Sequence, residues 1–389
     1  MSFLSVIFLS CFAMCVVVWK LCCSYLNVCT APYRIQDFHE AKEILGNSSL
    51  ESRAKPNQRL VTAFGIDNAF TTCNLSIHRT FVADVKLLLR TTDSEWMELA
   101  NLAANMLNKK QDQVMDGNSI ILAKLVQVFV FRIVLKKFFP TIQNAYDADI
   151  ELITTSINSL WIASKGCGNS SINASTESKD KITLFNALYR VFGVQVAVGK
   201  HNPLNIILPA YETLWRVVLC FFIEIRFRNK IGTPVHSFDA FLLHPTQKSF
   251  EARDLPHMPS VRDIVSETLR LYPPTRRVYR DEGTRVVAID VEYMHRDEDH
   301  WGMDAGEFDP TRWLREQQGL GFLPFGMGTF ECPAKAIVGP MMVGILAGTL
   351  VQGLSKGWDL HDDEGEIWNG QLDRGRGGLE GLRLKKMDN

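Results

Sequence analysis

One loop near the carboxyl end constrains this chain more than any other feature: Pro324-Phe325-Gly326-Met327-Gly328-Thr329-Phe330-Glu331-Cys332-Pro333-Ala334, which runs into a long apolar stretch. Gly326 and Gly328 can take backbone angles closed to other residues and let the main chain approach a flat ligand closely. Pro333 suits the first turn of a helix, where a missing N–H costs nothing. A cysteine just ahead of such a helix would meet free N–H groups and the positive end of the helix dipole, both of which favour thiolate over thiol. The loop is therefore expected to present Cys332 to a metal. The alternative is an inert apolar cysteine in a turn, since free cysteines are commonly buried.

Two upstream motifs bear on that choice. In the stretch from Ser260 to Pro274, Ser260 and Asp263 have capping-box spacing and Pro273 stops the helix they start. Glu267 and Arg270 lie three residues apart, share one face of that helix and can pair. Further on stands Phe308-Asp309-Pro310-Thr311-Arg312-Trp313, preceded by a charged run from His295 to His300. That run has metal-ligand residue types, but no helical or strand spacing gathers them, so it is expected to be a solvated loop.

In this order, Glu-x-x-Arg, Phe-x-Pro-x-Arg-Trp and Phe-x-x-Gly-x-x-x-Cys-x-Ala resemble the haem-thiolate cytochromes of the P450 family, and the chain from about Ile35 onward, most strongly from Leu204, resembles a microsomal fungal-type member. The resemblance implies a buried salt-bridge network of Glu267, Arg270 and Arg312 behind a haem b group (iron protoporphyrin IX). It also implies Cys332 as the axial iron ligand, with Phe325 and Gly328 beside the cofactor. A further match lies in Leu208-Pro209-Ala210-Tyr211-Glu212-Thr213. The family's long central helix carries a small residue and then an acid-threonine pair over the distal face. Ala210 would leave room for dioxygen, and Glu212 and Thr213 would relay protons. Pro209 should kink or widen the helix at that point.

The chain also departs from the family pattern. Phe330 stands where the family usually has Arg or His on a haem propionate, and Ala334 replaces the commoner glycine. Propionate binding must then come from elsewhere, and Ser76-Ile77-His78-Arg79-Thr80-Phe81 resembles the early helix that supplies basic groups, nominating His78 and Arg79. Only Leu26 to Ile66 separates the apolar amino terminus from that helix. It reads as one helix plus loop, so the amino-terminal part of the fold is expected to be abbreviated.

Phe3 to Trp19 is almost continuously apolar, with Lys20 directly after it and no basic residue before it. A signal anchor that could extend past a snorkelling Lys20 fits this pattern better than a cleaved leader. Positive charge on the distal side puts the bulk of the chain in the cytosol. The expected organisation is a membrane anchor over 1–28 and, as the resemblance to a microsomal member implies, a haem-thiolate domain over 29–389, single-pass in the endoplasmic reticulum membrane. Scattered body cysteines are no disulfide framework. A net charge of −1 gives no reason to invoke nucleic acid.

With 46% hydrophobic residues, a body of this length can bury one large core. The expected fold class is mainly α with a smaller β region. Apolar spacing predicts helices over Ile35–Leu45, Ile77–Leu89, Trp96–Leu107, Ile120–Phe138 and Ile182–Phe192. Lys165 to Lys181 reads as a polar loop covering the substrate entrance. Arg276–Arg280 and Arg285–Val291 read as a hairpin about Asp281-Glu282-Gly283-Thr284.

The resemblance implies a monooxygenase of secondary metabolism. It would insert one atom of dioxygen into an apolar small molecule, with electrons from a separate NADPH-dependent flavin reductase, because no flavin or nicotinamide fingerprint is present. The alternatives are a reductase-independent relative that rearranges peroxides or dehydrates, and a degenerate, non-catalytic haem protein.

Overall fold

The computed structural model describes residues 32–115, 117–165, 171–193, 199–228, 236–315 and 321–362, and most of 365–387. The chain divides into two units, Met1–Tyr33 and Arg34–Asn389. The expected anchor over 1–28 lies outside the described residues.

Strand β1 (Tyr33–Ile35) leads into α1 (Phe38–Asn47), started by the Asp37 carboxylate, which accepts the Glu40 N–H. Helix α2 (Leu50–Phe64) follows, capped by Ser49 and ended by Gly65 at φ +64°. The expected single helix over Ile35–Leu45 is therefore a strand and part of a helix. The stretch up to Ile66 holds two helices, the second hidden from periodicity by Pro56 and its polar first half.

Helices α3 (Leu75–Leu88), α4 (Asp93–Asp112), α5 (Leu122–Phe138) and α6 (Asp147–Ala163) come next, with β2 (Ser119–Ile121) before α5. Helix α7 spans Ser171–Phe192. The polar stretch expected as a loop is thus helical from Ser171 onward. Its serines and asparagines are weak rather than forbidden helix residues, and packing of α7 on α6 outweighs that preference.

The central helix α8 runs from Leu204 to Arg226, and its residues Leu208–Glu212 form a π-helical turn. Pro209 has no N–H to give to the Asn205 carbonyl, which instead accepts from Asn68 Nδ2 at 3.2 Å. The Asn205 side chain bonds the Asp67 N–H at 2.8 Å and the Gly199 carbonyl at 2.7 Å. Buried asparagines therefore satisfy the backbone groups that the proline disturbs. By length and apolarity alone α8 could cross a membrane, yet 72% of its most apolar window is buried inside the protein. It is a core helix, packed on α5 and on α11 and α14 described below.

After α9 (His236–Leu243) and α10 (Gln247–Glu251), α11 (Val261–Leu271) carries the Glu267-Arg270 motif. Its capping box is complete: Asp263 N–H to Ser260 Oγ at 3.2 Å and Ser260 N–H to the Asp263 carboxylate at 2.9 Å. The hairpin forms as β3 (Arg277–Asp281) and β4 (Val286–Asp290), with Gly283 at φ +86° in its turn. Single-turn helices α12 (Val291–Met294) and α13 (Glu298–Trp301) follow, and α14 (Val338–Gly353) closes the core. Strands β5 (Trp358–His361) and β6 (Arg383–Lys386) join β2 in a sheet ordered β2-β6-β5, while the other sheet is ordered β1-β4-β3.

Most apolar side chains form one core around α8 and α14. A smaller core gathers Phe38 and Leu45 of α1, Val287 and Ile289 of β4, Met294 and Leu323. This second core places the start of the cysteine loop against α1 and the hairpin. Ser260→Ala should lower the unfolding free energy by about 1 kcal/mol through loss of the α11 cap, read as a reduced midpoint in urea with an unchanged slope.

Candidate functional site

The Glu267 and Arg270 side chains are fully buried. Arg270 pairs with Glu267 in a fork, Nε to Oε2 at 2.9 Å and Nη2 to Oε1 at 2.7 Å. Its remaining N–H groups go to the carbonyls of His295 at 2.7 Å, Ala305 at 2.6 Å and Glu307 at 3.0 Å. All five guanidinium donors are therefore used. Glu267 also accepts from the Asp309 N–H at 2.9 Å and from Trp313 Nε1 at 3.1 Å. Arg312, on a 3-10 turn over Pro310–Leu314, sits 3.6 Å from Glu267 and 3.0 Å from the Asp304 carboxylate. It also donates to the Trp301 carbonyl at 2.5 Å. Helix α11 thereby grips the irregular chain from His295 to Trp313 through three backbone carbonyls, the Asp309 N–H and the side chains of Arg312 and Trp313.

His295, expected in a solvated loop, is completely buried. Its Nε2 accepts the Leu323 N–H at 2.8 Å, so Nδ1 carries the proton and donates to the Arg270 carbonyl at 2.8 Å. Burial pushes its pKa down to about 3, and the neighbouring Arg270 and Arg296 add to the effect against the raising influence of that hydrogen bond. The ring stacks on Phe322 with centroids 5.6 Å apart. A neutral histidine thus ties the end of α11 to Leu323, two residues before Phe325. Spacing could not find it, because its partners lie 25 and 28 residues away.

The loop itself turns at Gly326 (φ +66°) and Gly328 (φ +70°). A Cβ on Gly328 would come within 2.9 Å of the Leu45 carbonyl at the end of α1. The Cys332 N–H closes the loop on the Phe325 carbonyl at 2.9 Å. The Phe325 ring rests where a Cβ on Gly339 would approach within 2.8 Å, locking it against the start of α14. Contrary to the expected helix start at Pro333, residues 333–337 form turns and α14 begins at Val338. Without helix N–H groups directly beside it, burial pushes the Cys332 thiol up, opposed by a backbone hydrogen bond and by the charge of Arg53.

On α8, buried elsewhere as far as Ile225, Ile206, Pro209, Ala210, Thr213 and Arg216 form a stripe of partial exposure. The π-turn aligns Ala210 with Thr213 on this face. Thr213 Oγ1 donates to the Pro209 carbonyl at 2.7 Å, while the buried Glu212 pairs with Arg216 at 2.9 Å. His78, on α3, meets the Phe330 ring edge-on at 5.5 Å, and its pKa is lowered by burial and by Arg53. Arg79, one residue on, is exposed. Arg53 and Arg280, which the motifs did not nominate, lie against the same Phe330 ring.

Comparison with solved structures decides the architecture. The chain superposes on CYP175A1 from Thermus thermophilus with a TM-score of 0.63 at 12% identity, covering 91% of this chain and 89% of that one. A mutant heme domain of cytochrome P450DA gives 0.65 at 14% identity, covering 91% and 87%. This is the cytochrome P450 fold.

Residues 242–355 match the Cytochrome P450 family model. Cytochrome P450 705A1 of Arabidopsis thaliana is 34% identical over 131 residues, 28% of this chain and 25% of the relative. An isoflavone 3'-hydroxylase of Medicago truncatula is 30% identical over 130 residues, 30% of this chain and 25% of the relative. Cytochrome P450 monooxygenase buaD of Petromyces alliaceus is 28% identical over 135 residues, 29% and 24%. The matched stretch spans about a quarter of the length of these curated relatives.

In a P450 fold the donor set fits a haem. A thiol stands in a loop closed by its own backbone, a stripe of α8 carries a small residue and a hydroxyl, and two guanidiniums against the Phe330 ring of that loop lack carboxylate partners among the described residues. The His295 geometry adds a pH dependence. The folded protein refuses a proton that the unfolded chain takes up below about 6.5, so stability should fall as pH drops from there toward 3. His295→Gln should flatten that fall in urea titrations at pH 7, 6 and 5; equal slopes in both proteins would remove His295 as the responsible group.

Proposed function

We propose that the protein is a haem-thiolate monooxygenase acting on an apolar small molecule. The observation that carries this reading is that one continuous stretch, 242–355, both matches the P450 family and holds Glu267, Arg270, Arg312 and Cys332. The relatives named as monooxygenase and hydroxylase point to oxidoreductase chemistry.

Cys332 would ligate the iron of haem b as thiolate. Because burial favours the thiol in its absence, ligation and proton loss would occur together. Phe325 and Gly328 shape the loop that would hold the group, and the Glu267–Arg270–Arg312 network would steady the chain leading to that loop. When bound, the cofactor supplies dioxygen activation, one oxygen atom entering the substrate and the other leaving as water.

Thr213 would act on the distal side. Its hydrogen is committed to the Pro209 carbonyl, so its oxygen is turned outward as an acceptor that can pass a proton on when the hydroxyl rotates. Glu212, held by Arg216, is the adjacent carboxylate of that relay. Ala210 keeps the space beside Thr213 clear.

Electrons would come from a separate NADPH-dependent flavin reductase. The apolar segment over 1–28 would anchor residues 29–389 on the cytosolic face of the endoplasmic reticulum as a single-pass protein. We read the stretch before Ile66, with its one strand and two helices, as a shortened form of the amino-terminal part of the fold. The mixture of relatives is compatible with a role in secondary metabolism.

The carbon monoxide difference spectrum of the reduced full-length protein tests this function. A red-shifted Soret band that disappears in Cys332→Ser is expected. Failure of the wild-type protein to take up haem would leave a non-catalytic member of the fold.

A further inference from the structure

The buried and half-buried arginines named here fall into two groups. Arg216, Arg228, Arg270 and Arg312 each have a carboxylate within ion-pair distance. Arg53 and Arg280 have none among the described residues. Arg280, from β3, is 5% exposed and, among the described residues, donates only to Ser48 Oγ at 2.9 Å and to the Tyr279 carbonyl at 2.8 Å. The Arg53 guanidinium, from the first turn of α2, makes no hydrogen bond among the described residues. Such burial is costly for a cation: it pushes Arg53 down to about 9, with repulsion from Arg280 adding to it, and Arg280 down to about 10.

Aromatic faces hold these cations in place. Arg53 lies 4.5 Å from the centroid of Phe70 and 4.8 Å from that of Phe330, while Arg280 lies 5.7 Å from Phe330. His78 approaches the same ring at 5.5 Å. A ring face attracts a guanidinium without occupying its N–H edge. Phe330, two residues before Cys332, therefore collects basic groups from α2, α3 and β3 while leaving Arg53 its full set of donors. Two adjacent, half-desolvated cations that repel each other persist in a fold when an anion completes them. The Arg53 charge also reaches Cys332, whose thiolate it favours.

We infer that Arg53 and Arg280, oriented by the Phe330 ring, bind the carboxylate groups of the flat ligand held at Cys332. The inference rests on the haem reading and adds to it that an aromatic residue at 330 recruits the carboxylate-binding cations from elsewhere in the fold. Phe330 is thus a positioning residue. Arg53 contributes a fork suited to carboxylate, and Arg280 contributes charge together with its remaining N–H groups. The neutral His78 ring borders the same space.

The test compares uptake of iron protoporphyrin IX with uptake of its dimethyl ester, in which both carboxylates are neutral. Retention is read from the rate of haem transfer to apomyoglobin. The wild-type protein is expected to release the ester about tenfold faster or more, the scale of one to two charge-assisted hydrogen bonds. Arg53→Gln and Arg280→Gln should each shrink that ratio, and Phe330→Leu should shrink it while leaving both arginines present.

Equal release of the two porphyrins from the wild-type protein overturns the inference and leaves the haem reading standing. The same holds if all three variants keep the wild-type ratio. The wild-type comparison needs no variant, so a misfolded mutant cannot hide the answer. A protein that binds neither porphyrin overturns the haem reading as well.

Discussion

The bidentate pair between Glu267 and Arg270 is the contact on which the irregular part of this structure depends. Two fully buried charges are expensive to remove from water, and their mutual attraction repays that cost only when every remaining donor and acceptor is satisfied. Here the satisfaction comes from the chain that must be held: the carbonyls of His295, Ala305 and Glu307, and the N–H of Asp309. About fifteen residues, helical only in the single turn of α13, are thereby fixed to α11. Arg312 repeats the device on the Trp301 and Asp304 carbonyls.

His295 carries that order onward to the cysteine loop. Both of its ring nitrogens are engaged, one on α11 and one on the Leu323 N–H. Leu323 in turn belongs to the small core shared with α1 and β4. Position is passed from a charge pair to a neutral histidine, then to apolar packing, and finally to the backbone turn that presents Cys332. The same economy appears at Pro209, where the missing N–H is answered by Asn68 and the widened turn sets Ala210 and Thr213 on one face.

Much of this was legible in order and spacing. The capping box at Ser260, the hairpin about Gly283, the left-handed glycines of the loop and a distortion at Pro209 all follow from local chemistry, which acts over a few residues. The misreadings have a common cause. Ser171 onward looked like a loop because its residues are poor helix formers, and only packing of α7 on α6 decides otherwise. Residues after Cys332 looked helical because a proline permits a helix start without compelling one. His295 looked solvated because its charged neighbours in sequence are not its neighbours in space.

What the sequence determined by itself was the set of groups whose partners lie within one turn: Glu267 with Arg270 and Ser260 with Asp263. These are set by helix geometry wherever the helix is placed. Tertiary structure alone decided which carbonyls fill the Arg270 guanidinium, that His295 is buried and neutral, and that Arg53, Arg280 and His78 converge on Phe330. Those groups come from segments as much as 277 residues apart in the numbering, and burial, which fixes both their charge and their partners, exists only once the chain has folded.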